Sequence, residues 1–178
     1  MFLRQVLFLL AMVAAIGTAP RALAVELKAP TGGIDFSQIT GRWYEIARLP
    51  NRFQKDCQAG ASDWSASADG YSVVQICHKG SVSSPATEWK GTAKILDPKN
   101  ANRIKINYFG GLVSAEYWVL DSRSDQGWML LGTPNGRYLW LMSQKPSLAA
   151  SAKAQALARI KQLGYNMSAL EFPLPARN

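Results

Sequence analysis

Between residues 43 and 143 the chain divides into eight short segments with strand character, separated by turn signals at close spacing. No other feature narrows the fold as far, because short strands repeated at such intervals build sandwiches or barrels. The segments are residues 43–49, 61–68, 71–78, 87–96, 103–109, 112–121, 128–132 and 137–143. Asp69-Gly70, Asp97-Pro98-Lys99-Asn100, Gly110-Gly111 and Pro134-Asn135-Gly136 are turn sequences of hairpin length between them. Residues 51–60, which hold Phe53 and Cys57, form a longer connection than a hairpin needs. Segment 87–96 alternates as a half-buried strand does, with Trp89, Gly91, Ala93 and Ile95 on one face and Glu88, Lys90, Thr92 and Lys94 on the other. Consecutive hairpins favour an up-and-down barrel, in which closure removes the open edges. The expected fold is all-β: an eight-stranded antiparallel up-and-down barrel with a C-terminal α-helix packed outside. Eight strands enclose an interior just wide enough for one small ligand, and the inward Gly91 and Ala93 leave space there.

Residues 41–50 fix how such a barrel begins. Gly41 gives the backbone room to turn, and Trp43 brings the largest apolar side chain to the start of the first strand. A strand that opens on its bulkiest residue reads as a plug at one end of a closed sheet, with Phe36 and Ile39 in a short turn beneath it. Pro50 ends the strand, since it has no N–H for the ladder. After the last strand the pattern changes. Residues 148–163 are rich in helix formers, with Ser147 as expected N-cap and Gly164 at C′. Leu157, Ile160 and Leu163 form the expected apolar face. Residues 168–172 read as a short final strand.

The ends bear on location. Arg4, an apolar run at 6–16 and Ala22-Leu23-Ala24 make residues 1–24 a secretory leader. The run is too short for a membrane span. The expectation is an exported protein, periplasmic or secreted, with residues 25–178 as one domain: barrel 41–145, helix 147–164 and a terminal segment 165–178. The formal net charge is +8, and +6 without Arg4 and Arg21. A basic surface favours contact with an anionic membrane or ligand. The basic residues form no block of like charge, which argues against nucleic acid as a partner. Two cysteines, Cys57 and Cys77, in an exported chain point to a disulfide; two buried thiols are the alternative.

The chain resembles a lipocalin, above all the bacterial lipocalin group. Residues 41–50 (Gly-Arg-Trp-Tyr-Glu-Ile-Ala-Arg-Leu-Pro) are similar to the family's first motif. Tyr117-Trp-Val-Leu-Asp121 resembles the second and Tyr138-Leu-Trp-Leu-Met-Ser143 the third, and the helix follows where the family has one. The resemblance implies a calyx closed at one end by Trp43, with Gly41, Asp121 and Gln144 at that closed end. It implies a small hydrophobic ligand, for the bacterial group a fatty acid or lysophospholipid, carried in the cell envelope. Two departures stand out. The third motif usually continues to an arginine that stacks on the first motif's tryptophan, where this chain has Gln144. Many bacterial relatives carry a lipid-anchoring cysteine at the cleavage site, and this chain has none there. If the first strand runs from the closed end to the mouth, Cys57 and Cys77 meet at one rim.

The candidate ligand contacts are the aromatic and aliphatic residues of the inward faces. Phe53, Trp89, Phe109 and Tyr138 are placed near the mouth; Trp64, Tyr117, Ile104, Ile106 and Val73 are placed along the shaft. Arg48, Arg52 or Lys55 near the rim would meet a carboxylate or phosphate. No cofactor is expected: His78 is the single histidine, and a lone histidine on a strand is more often a surface residue than a haem ligand. No zinc-type Cys/His spacing is present. Asn166-Met167-Ser168 fits a glycosylation acceptor, without meaning in a bacterial-type chain. The expected protein is not an enzyme. The alternative is an enzyme on the same fold, acting on a lipid or pigment through a free, inward Cys77. A barrel with a filled interior, serving as an interaction module, is a third reading.

Overall fold

The computed structural model describes residues 26–28, 30 and 35–175; the expected leader lies outside the described residues. Eight strands, β1 (Gly41–Arg48), β2 (Cys57–Ser67), β3 (Gly70–Lys79), β4 (Ala86–Ile95), β5 (Arg103–Tyr108), β6 (Val113–Arg123), β7 (Trp128–Gly132) and β8 (Leu139–Ser143), are followed by helix α1 (Ala150–Gln162). Each strand pairs antiparallel with the next, and β8 returns to β1, so the barrel is closed. The up-and-down topology read from the turns is the one formed.

Several boundaries differ from the sequence reading. β2 starts at Cys57, where it already pairs with Lys79 of β3, so residues 57–60 of the presumed long connection are strand. Its first residues, Cys-Gln-Ala-Gly-Ala, show no clear alternation to read. Phe109 leaves the ladder and enters a 3-10 turn, Phe109–Gly111, at φ +52°, with Gly110 at +67° and Gly111 at +99°. Only the two glycines take that left-handed path without strain. β8 begins after Tyr138, which therefore sits in the β7–β8 turn.

Helix α1 starts at Ala150 with Ala149 as N-cap and no side-chain cap bond, so Ser147 does not cap it. Its buried face is Ala152, Ala156 and Ile160, with Leu157 and Leu163 packed at the margins. The rotation has a packing cause: alanines at i and i+4 let the helix approach the barrel wall closely. Gly164 takes the left-handed C′ position at φ +89°. Residues 168–172 form no strand. A 3-10 turn at Met167–Ala169 is followed by one bridge from Glu171 to Arg48.

The apolar residues separate into two main clusters. One fills the lower barrel and includes Trp43, Val73, Ile104, Val119 and Met142. The other lies outside, between α1 and the outer faces of β7, β8 and β1. Two bulges set which charged residues enter which side. In β1 the register shifts between Glu45 and Ala47; in β6 it shifts between Val119 and Asp121. An extra residue in one strand reverses the alternation beyond it.

Candidate ligand-binding site

The closed end is an apolar floor. Trp43 is only 3% exposed and packs with Ile39, Val119, Met129 and Met142. Its indole N–H donates to the Ile39 carbonyl at 2.8 Å, so the turn at Phe36–Ile39 caps the barrel from below. Gln144 is exposed and takes no part in that contact; its backbone N–H donates to Gly127 O at 3.0 Å. No cation stacks on Trp43 among the described residues. Hydrophobic packing and the Ile39 hydrogen bond hold the floor without the arginine. Asp121 is turned outward by the β6 bulge and accepts from Arg159 Nε of α1 at 2.8 Å. It ties helix to barrel, not floor to wall.

Above the floor lies a cavity of about 270 Å³ that opens at the far end. Trp64, Trp89, Ile104, Ile106 and Tyr117 line its shaft, and Phe53, Phe109 and Tyr138 line it near the mouth. Val73 does not line it. That residue is fully buried opposite Trp64 in the β2–β3 ladder and belongs to the packed core below. Nor does Gly91 leave space. A Cβ there would stand 2.9 Å from Asn107 O and 3.0 Å from the Tyr108 ring, so Tyr108 fills the room the glycine gives.

The sequence reading missed Glu45 in the lining and the pairing that holds it to Arg48 in the wall. Glu45 is 4% exposed and Arg48 is 4% exposed. Residues three apart in a regular strand face opposite ways, but the bulge between Glu45 and Ala47 brings both side chains together. Arg48 Nη1 donates to Glu45 Oε2 at 2.9 Å, Nη2 donates to Cys57 O at 2.7 Å, and Nε donates to Glu171 Oε2 at 3.0 Å. The guanidinium thus spans the wall from the cavity side to the exposed C-terminal segment. Expected at the rim and open to ligand, Arg48 is instead fully engaged within the wall.

Gln54 continues the network into the mouth. It stands in the 3-10 turn Arg52–Gln54 of the β1–β2 loop, whose N-cap Asn51 accepts from Phe53 N and Gln54 N. Gln54 Nε2 donates to Glu45 Oε1, while Gln54 Oε1 accepts from Trp140 Nε1 at 2.8 Å and Asn51 Nδ2 at 2.6 Å. One side chain therefore pins the loop to β1 and β8. Burial pushes the Glu45 carboxyl above its ordinary range, opposed by the charge of Arg48 and the hydrogen bonds from Gln54 and Arg48. Gly60 serves the same group, since a Cβ there would collide with the Glu45 carboxylate.

Across the cavity, burial raises both the Tyr108 and the Tyr117 phenol, so they stay protonated at neutral pH. Trp140 packs edge-on to Tyr117 at 5.7 Å between centroids, and the Trp64 indole donates to Ser62 Oγ at 3.0 Å. The interior is mostly apolar, and the Arg48 guanidinium in the wall beside it is committed.

Cys57 and Cys77 form a disulfide, with Cα atoms 5.6 Å apart, beside the mouth. Cys77 has no free thiol, so the enzymatic reading through that residue is overturned. His78 Nδ1 lies 2.7 Å from Ser84 O in the β3–β4 loop and does not line the cavity. No group of metal-ligating residues is present among the described residues.

A closed antiparallel calyx with a plugged floor, an apolar interior, one open end and a helix against its outer wall defines a class of small-ligand-binding barrels. Residues 34–175 match the description "Lipocalin-like domain", and the chain belongs to that family, whose members bind small hydrophobic ligands. It is 27% identical over 172 residues to the outer membrane lipoprotein Blc of Citrobacter freundii, covering 91% of this chain and 94% of the relative. Temperature-induced lipocalin-1 of Arabidopsis thaliana is 27% identical over 146 residues, covering 78% and 77%. Among solved structures, insecticyanin from the tobacco hornworm superposes with a TM-score of 0.67 at 16% identity, covering 82% of each chain. Lobster apocrustacyanin A1 does so with 0.65 at 13% identity, covering 89% and 94%. These structures share the fold.

Proposed function

We propose that this protein carries a single-chain lipid, a fatty acid or lysophospholipid, with the acyl chain in the calyx and the polar end at the mouth. The observation that carries this reading is the small apolar cavity with no uncommitted charge. At about 270 Å³ it falls just short of the roughly 300–1,000 Å³ typical of sites for drug-sized ligands. One acyl chain suits that space. Each buried CH₂ contributes about 0.8 kcal/mol, so an eight-carbon segment supplies about 6 kcal/mol without directional contacts. A charged headgroup finds no free partner inside, because Arg48 is held by Glu45, Glu171 and Cys57 O.

The place of action is the cell envelope, in line with the Blc relatives, which are outer membrane lipoproteins. The mouth exposes Phe53, Phe109, Leu112 and Val113, and that apolar rim on a basic protein suits brief contact with an anionic membrane during loading. Mass spectrometry of organic extracts from the purified protein is expected to return a single-chain lipid. Three tryptophans, Trp64, Trp89 and Trp140, line the cavity, so a titrated fatty acid is expected to quench intrinsic fluorescence. An empty protein whose fluorescence is unmoved by fatty acid or lysophospholipid would overturn the reading.

A further inference from the structure

Below the mouth, the polar side chains of the cavity lining fall into two sets. Glu45 and Ser62 are committed, the first to Arg48 and Gln54, the second to the Trp64 indole. Gln75 of β3, Tyr108 of β5 and Tyr117 of β6 also line the cavity, and they are only loosely engaged. Gln75 Nε2 donates to the Tyr108 hydroxyl at 3.5 Å, longer than an ordinary hydrogen bond. Gln75 Oε1 accepts from no partner among the described residues. Burial keeps both phenols protonated at neutral pH, so the cluster is uncharged and offers O–H donors beside an amide carbonyl.

The strand registers put this cluster at the bottom of the open cavity. Inward residues alternate along a strand, so Gln75 stands one inward position above Val73, and Tyr117 one above Val119. Val73 and Val119 both belong to the packed floor. Tyr108 starts opposite Gly91, where a Cβ would stand 3.0 Å from its ring. The missing side chain lets the phenol cross β4 and reach Gln75 on β3. Trp140 packs edge-on to Tyr117 at 5.7 Å and steadies that ring. Filling the space alone would be served as well by phenylalanine at 108 and 117 and by leucine at 75, without the cost of polar groups in an apolar enclosure.

We propose that Gln75, Tyr108 and Tyr117 form an internal recognition site for an oxygen at the buried end of the ligand, so that the calyx selects an acyl chain hydroxylated at its far end over a plain hydrocarbon tail. The inference rests on the acyl-carrier reading above. A hydrocarbon tail that reaches the cluster shuts it off from water and returns no hydrogen bond. A hydroxyl returns two, donating to Gln75 Oε1 and accepting from a phenol O–H. A site built to hydrogen-bond a hydroxyl discriminates against the analogue without it more strongly than an apolar pocket discriminates by size.

The test titrates decanoic and dodecanoic acid against 10-hydroxydecanoic and 12-hydroxydodecanoic acid, below micelle formation, and reads tryptophan quenching. A control, 2-hydroxydodecanoic acid, keeps its hydroxyl beside the carboxylate at the mouth. At one chain length or both, the terminal hydroxy acid is expected to bind about fivefold more tightly than its parent, and the control is expected to show no such gain. In the triple variant Gln75→Leu, Tyr108→Phe, Tyr117→Phe the preference is expected to reverse, with the terminal hydroxy acid about tenfold weaker than its parent, because its hydroxyl is then buried without a partner. Circular dichroism checks that the variant is folded. The single variant Tyr108→Phe, which removes one oxygen atom, is expected to lose most of the preference and serves if the triple variant does not fold. Parent acids that bind with no preference for the terminal hydroxyl at either length, an equal gain from the control, or a preference kept in the folded variant would overturn the internal site and leave the carrier reading standing. Quenching by none of the acids would overturn both.

Discussion

The floor of the calyx and the wall near its mouth are built from the same strand by opposite means. At the start of β1, Trp43 is sealed by Ile39, Val119, Met129 and Met142, and the one polar atom of its side chain is spent on the Ile39 carbonyl. Further along the strand, Glu45 and Arg48 are as deeply buried, yet are held by an ion pair, a backbone carbonyl and an amide. Apolar packing is tolerant of detail: the floor holds although Gln144 replaces the usual arginine. The polar wall is not, because a buried charge that loses its partner carries its whole desolvation penalty. The floor supplies stability, and the wall supplies position.

The two largest expected effects test that contrast directly. Trp43→Ala removes a large buried side chain and is expected to cost about 3–5 kcal/mol in urea unfolding, by a mechanism that larger apolar replacements soften. Arg48→Met is expected to cost a similar amount, about 3–5 kcal/mol, because it strands Glu45. The double variant Arg48→Met, Glu45→Leu is expected to recover most of that loss. If the double variant is no more stable than Arg48→Met alone, the wall is not governed by charge compensation.

Removing the disulfide by Cys57→Ala with Cys77→Ala is expected to cost about 3 kcal/mol in the chain-entropy view for a loop of this size. The measurement is the urea midpoint of the variant against the oxidised wild type. Gln54→Ala is expected to cost less in stability, about 1–2 kcal/mol for the lost buried hydrogen bonds. Its main effect is expected at the mouth, as faster release of a bound fatty acid in stopped-flow fluorescence. Trp43→Ala is expected to show the reverse balance, with lower stability and little change in release. Equal effects of the two variants on release would erase the distinction between floor and wall.

The smallest effect is one of pH. Burial raises the Glu45 carboxyl above 4.5 against the opposing influence of Arg48 and Gln54, with Glu171 adding to the rise. An acid with a raised folded-state value holds its proton more readily in the fold than in the unfolded chain. Its contribution is therefore greatest at low pH and is lost as pH climbs through the raised value. Relative to Glu45→Gln, the wild type is expected to lose stability as pH rises from the carboxyl range toward neutral. Parallel pH profiles for the two proteins would show that Arg48 fully offsets the burial.

Much of the barrel was legible because its signals are local. Asp69-Gly70 marks a turn wherever it stands, and the alternation of Trp89, Gly91, Ala93 and Ile95 sets a face without reference to the rest of the chain. The aromatic lining followed from those faces. What escaped depends on register between strands. Period-two alternation places Glu45 and Arg48 on opposite sides, and only the bulge against β8 reunites them. The same event in β6 turned Asp121 outward to Arg159. Tyr108 occupies the space beside Gly91, and that placement depends on the β4–β5 register. Ser147 has the chemistry of a cap, but the helix begins at Ala150 with Ala149 as N-cap and buries Ala152 and Ala156.

Every strand but one meets its neighbour across a short connection; the exception is the seam where Tyr44 of β1 pairs with Ser143 of β8. Such a seam carries the largest loop-closure entropy in the molecule, and the hairpins can form before it shuts. The calyx does not exist until then. A ligand that needs the whole wall has nothing to grip in a transition state with the seam still open, so its binding energy falls on the native side of the barrier. For a molecule of this topology a bound lipid acts as a brake on unfolding and leaves the speed of folding unchanged.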